Sequence, residues 1–124
     1  MNALEVIQQA NPRALIHVDE VLDRVTMIED VGAPNKLYRL EFQASQDGTR
    51  AIAFVRYAPD AIPPEMPHLS HDRQLDLSHG WQSLEKSATT IAEAIFKARF
   101  WCTAHNHFMT NSHLITLENY HGST

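Results

Sequence analysis

Apolar and polar residues alternate from Tyr38 to Ser45, and a second apolar-rich run follows from Ala51 to Tyr57. A period of two is the signature of a half-buried strand. Asp47-Gly48 lies between the runs, and Asp-Gly favours a two-residue type I′ hairpin turn. That turn predicts a register: Ala44 opposite Ala51, Phe42 opposite Ala53, Leu40 opposite Val55 and Tyr38 opposite Tyr57. All of these side chains share one face, while Arg39 and Arg56, Glu41 and Phe54, and Gln43 and Ile52 pair on the other. A slip of one residue would scramble the agreement.

Upstream, Ala3, Leu4 and Ile7 suggest a short helix over residues 2–10. Asn11-Pro12 reads as an N-cap followed by proline at a first helical position. Ala14, Leu15, Val18, Val21, Leu22 and Val25 then recur at helical spacing. The β-branched Ile16, Val18, Val21 and Val25 argue for a strand over part of that stretch. The expectation is a helix to about residue 22, then a strand over 24–30 that joins the hairpin in a meander. Gly32, Pro34 and Asn35 supply the intervening turn.

Pro59, Pro63, Pro64 and Pro67 mark residues 59–80 as a loop, with a short edge strand open to Arg73–Leu77. The strongest helical pattern spans 82–104. Leu84, Ala88, Ile91, Ile95, Ala98 and Cys102 form a stripe that Ala92, Phe96 and Phe100 widen. This helix is expected to cover the apolar face of the hairpin. Residues 105–124 read as a polar, His-containing tail with a possible short strand at Leu114–Leu117. The fold class is therefore α+β: a three- to four-stranded antiparallel meander, one face covered by the long helix and the N-terminal helical segment. The 124 residues fit a single domain over 1–124.

The composition narrows the function classes. A formal charge of −5 works against non-specific binding to nucleic acid or anionic membranes. No basic cluster or Gly-rich basic loop stands ahead of the long helix, so nucleic-acid binding ranks low. No run approaches the roughly 20 apolar residues of a membrane span. Met1–Glu5 has neither the basic start nor the apolar core of a secretory signal. Cys102 is the single cysteine, which excludes an internal disulfide and favours a cytoplasmic setting.

Candidate chemistry is sparse. Cys102, His105, His107 and His113 offer zinc-type donors. His105 and His107 diverge by about 200° on a helix, so they converge on a metal with His113 only if the helix ends near His105. His71 and Asp72 border the loop, with Ser70 and Ser78 nearby, but no nucleophile-elbow pattern surrounds either serine. Cys102 continues the apolar stripe at the C-terminal end of its helix, where the dipole disfavours a thiolate. No phosphate-cradling glycine pattern occurs. The leading expectation is a non-enzymatic accessory domain that binds another protein and self-associates. Its candidate surfaces are Trp81, Trp101, Phe108, Met66 and His68, and it needs no cofactor. The rival is an enzyme or ligand-binding protein with zinc at His105, His107 and His113.

Overall fold

The computed structural model describes residues 1–33, 35–64, 66 and 69–111. Helix α1 spans Ala3–Ala10. Asn2 and Glu5 form a reciprocal capping box: each side chain accepts a hydrogen bond from the other's backbone N–H. The helix stops at Asn11, whose N–H donates to Ile7 O and whose carboxamide oxygen accepts from Arg13 N–H.

Asn11-Pro12 therefore closes α1 and does not begin a second helix. Strand β1 follows at Leu15–Asp19, where the spacing suggested a helix. The stiff side chains of Ile16 and Val18 suit a strand. A tight turn comes next: Asp19 Oδ1 accepts from Leu22 N–H, and Asp23 takes φ +52. Strands β2 (Arg24–Ala33), β3 (Lys36–Ser45) and β4 (Ala51–Tyr57) complete an antiparallel meander in the order β1-β2-β3-β4.

The predicted hairpin register holds from Ala44–Ala51 through Leu40–Val55. It ends at an irregularity between Arg39 and Leu40, which pairs Arg39 with Tyr57. The expected Tyr38–Tyr57 and Arg39–Arg56 pairs are thereby lost, because an extra residue shifts the ladder.

The turn also differs from type I′, which requires positive φ at both central residues. Only Gly48 has it, at φ +79, and its N–H closes on Ser45 O. The Asp47 carboxylate organises the loop by accepting from Ser45 Oγ and from Thr49 N–H and Oγ1. These bonds hold its carboxyl at about 2, against an ordinary 3.8. A depressed folded-state pKa adds stability that is complete above 3.8 and disappears as pH falls toward 2. Thermal melts of wild type and Asp47→Ala should differ at pH 5 and converge by pH 2. A gap that persists at pH 2 would contradict this role.

The turn also anchors both helices. Ala3 N–H donates to Gln46 O, and Ile91 N–H donates to Gly48 O. A Cβ at Gly48 would lie 3.2 Å from both Ala3 N and Ile91 Cγ2.

Helix α2 spans Ile91–Asn111, beginning and ending later than the pattern suggested. Its start is set by tertiary structure. Ser87 Oγ donates to Ala51 O, and Ala51 N–H donates to Thr89 O, which holds the preceding chain extended along β4. Leu84 sits in a single 3-10 turn at Leu84–Lys86 and packs with Ile52 and Phe54, away from the main core.

Ile91, Ile95, Ala98, Trp101 and Cys102 cover Met27, Leu40, Phe42, Ala53 and Val55, and Ile7 of α1 joins them. Each large aliphatic side chain so buried contributes on the order of 1.5–3 kcal/mol. Among the described residues of 59–80, Met66, Leu75 and Leu77 belong to the core. Arg73–Leu75 lies along β4, where Val55 N–H donates to Arg73 O and Leu75 N–H to Ala53 O. Among the described residues, no helix is long and apolar enough to cross a membrane.

Candidate functional site

Three places bear on function: a buried aromatic–imidazole cluster, two clefts along α2, and the outer edge of β1. In the first, the His105 and Trp101 rings stack with centroids 5.2 Å apart and planes 4° apart, and Tyr38 meets both edge-on. His105 Nε2 lies 2.8 Å from Ala61 O, and Nδ1 lies 2.6 Å from Tyr38 Oη. A carbonyl only accepts, so Nε2 carries a proton and donates. Nδ1 then accepts from the Tyr38 hydroxyl. Burial first, then the charges of Cys102 and Asp60, push that hydroxyl's pKa upward and keep it protonated.

The structure places the residues singled out in the sequence as follows. His105 is fully buried with both nitrogens engaged, so it offers no lone pair to a metal. His107 is not brought to it, because the helix runs past both residues instead of ending near His105. His113 lies outside the described residues. Among the described residues, no three His, Cys, Asp or Glu side chains converge as metal ligands.

Trp101 and Met66 are 4 % and 2 % exposed, so neither presents a surface to a partner. Trp101 turns inward because Tyr38 and His105 form its pocket. Phe108 is half-buried against the core, and Trp81 is exposed. His68 lies outside the described residues.

The larger cleft, of about 480 Å³, lies between α2 and the β2–β3 end of the sheet, with Lys36, Tyr38, Arg99, Cys102 and Asn106 in its lining. Its cations are committed. Lys36 Nζ sits 3.3 Å from Asp60, and Arg99 forks onto the buried Glu29 carboxylate at 2.7 and 2.8 Å. Burial first, then the Glu29 charge, push the Cys102 thiol up to about 12, so the cleft supplies no thiolate at neutral pH. The second cleft, of about 410 Å³, runs between α1 and α2 and is largely apolar, with Val6, Ile95, Phe96 and Phe100 on its walls. In the 70–74 turn, Asp72 accepts from Ser70 Oγ, which takes up the serine hydroxyl.

The edge of β1 went unnoticed in the sequence. The outer edge of β4 is occupied: its outward N–H groups on Ala51 and Val55 donate to Thr89 and Arg73, and Ala53 O accepts from Leu75. Antiparallel ladders alternate, so the same alternation carried across β3 and β2 gives the outward backbone groups of β1 to Ile16 and Val18. Among the described residues, no strand lies beyond β1.

Leu15 and Val18 on the strand are exposed, as are Val21 and Leu22 in the adjoining turn, the last two at 94 % and 61 %. Turns are ordinarily built from polar residues. Here a turn fixed by Asp19 holds two aliphatic side chains in solvent. The clustering of Val21 and Leu22 between Asp19 and Asp23 was the available sequence signal. No family model, curated protein or solved structure matches this chain.

Proposed function

We propose that this chain is an accessory interaction domain that associates with protein partners, copies of itself included, by adding a strand to the open edge of β1. The observation that carries this reading is the β1 edge, unpaired among the described residues and flanked by exposed Leu15, Val18, Val21 and Leu22. Unprotected edges template pairing with other chains, and proteins usually blunt them with lysine, proline or a bulge. Strand β1, with the sequence Leu15-Ile16-His17-Val18-Asp19, contains no lysine or proline. Main-chain hydrogen bonds would supply affinity, and the alternating side chains selectivity. The committed cations and the protonated thiol of the larger cleft leave the edge as the better-supported site.

A photo-crosslinking amino acid at position 15 tests the reading in the source cells, with the same group at exposed Tyr57 as a control. Position 15 should yield protein adducts that Val18→Lys removes, with the circular dichroism spectrum unchanged. Adducts that survive Val18→Lys, or that form only from position 57, would refute it.

A further inference from the structure

We infer that the occupant of the β1 edge is a second copy of this chain, joined by antiparallel β1–β1 pairing about a twofold axis at His17. This rests on β1 being the association edge and names its partner. A twofold interface must be self-complementary. Strand β1 meets that condition in hydrogen bonding, shape and charge.

The register centred on His17 overlaps the whole strand Leu15–Asp19 with itself. It sets Ile16 of each copy opposite Val18 of the other. These are the two residues whose backbone groups point outward. Each Ile16–Val18 pair exchanges two backbone hydrogen bonds, and His17 meets its counterpart in the intervening non-bonded pair. The two four-stranded sheets become one continuous sheet.

The exposed aliphatic groups lie at opposite ends of the strand: Leu15 at the beginning, Val21 and Leu22 just beyond the finish. Antiparallel pairing sets the Val21-Leu22 turn of one copy beside Leu15 of the other, twice. The charges are polarised in the same sense. Arg13 precedes the strand, while Asp19 and Glu20 end it. Among the described residues, neither Arg13 nor Asp19 has an ion-pair partner. In this register Arg13 falls diagonally across from Asp19 of the second copy, on the same face of the sheet. Diagonal neighbours lie about 7–8 Å apart, within reach of an arginine. A parallel arrangement would instead stack like charges at both ends.

The full-length protein is tested in two ways. Sedimentation equilibrium should show a reversible dimer that Arg13→Glu weakens about tenfold, because two attractive Arg13–Asp19 contacts per dimer become repulsive. Non-bonded pairs place Cα atoms about 4.5 Å apart, inside the disulfide range. His17→Cys should therefore form a covalent dimer on mild oxidation. Wild type, whose Cys102 is buried, and Leu37→Cys on the open sheet face should not.

A wild-type protein that stays monomeric into the millimolar range, or a His17→Cys variant that links no better than Leu37→Cys, would overturn the proposal. If the position-15 photo-crosslink then captured a different protein and Val18→Lys abolished it, β1 would remain the association edge with a heterologous occupant. Loss of that adduct as well would remove both readings.

Discussion

Trp101→Ala should cost the fold about 3–5 kcal/mol, the range for truncating a large buried aromatic side chain. The indole is 4 % exposed, stacked on His105 and met edge-on by Tyr38. Its removal withdraws the wall that holds the His105 imidazole between Tyr38 Oη and Ala61 O. The surrounding rings cannot collapse into the gap without breaking those bonds. Against a usual domain stability of 5–15 kcal/mol, the loss leaves a marginal protein. Urea denaturation should show a midpoint shift at unchanged slope. A loss below 1 kcal/mol, with weakened association in a folded protein, would instead place Trp101 at an interface.

Arg99→Met should be comparably severe, at about 3–5 kcal/mol, because it strands a buried carboxylate. The Glu29 side chain has no exposure, and Arg99 grips both its oxygens while Asn11 Nδ2 donates to one of them at 3.0 Å. Arg99 also donates to Ala10 O, so this one side chain fastens α2 to β2 and to the end of α1. The Glu29 carboxylate and its coulombic attraction hold the guanidinium pKa above its ordinary value. Replacing both partners, as in Glu29→Met with Arg99→Met, should restore most of the loss, since apolar pairs often substitute for buried ion pairs. A double variant no more stable than Arg99→Met would show that Glu29 and Asn11 stabilise the site independently of the arginine.

What the sequence disclosed was local. The hairpin register was legible because period-two patterning and an Asp-Gly turn constrained it from both ends. The covering role of α2 was legible in the Ile91–Ile95–Ala98–Cys102 stripe. What stayed hidden depended on partners distant in the chain. Helix α2 begins at Ile91 because β4 captures Ser87 and Thr89, and nothing in their propensities announces that. Strand β1 resembled a helix because Val18, Val21, Leu22 and Val25 fall at spacings of three and four, although three of the four are exposed and serve no core. Glu29 and Arg99 are separated by 70 residues. The open edge is a property of strand order, so it became visible only once β4 was seen to be covered and, among the described residues, β1 was not.

The most direct test is backbone amide exchange, resolved by residue, at Ile16 and Val18 as protein concentration is raised. Their N–H groups face outward, while those of His17 are committed to β2. Strand addition at β1 predicts rapid exchange of Ile16 and Val18 in dilute protein and slowing of both as association proceeds, with His17 protected throughout. Rates at Ile16 and Val18 that stay fast while the protein demonstrably associates would place the interface elsewhere and contradict the account.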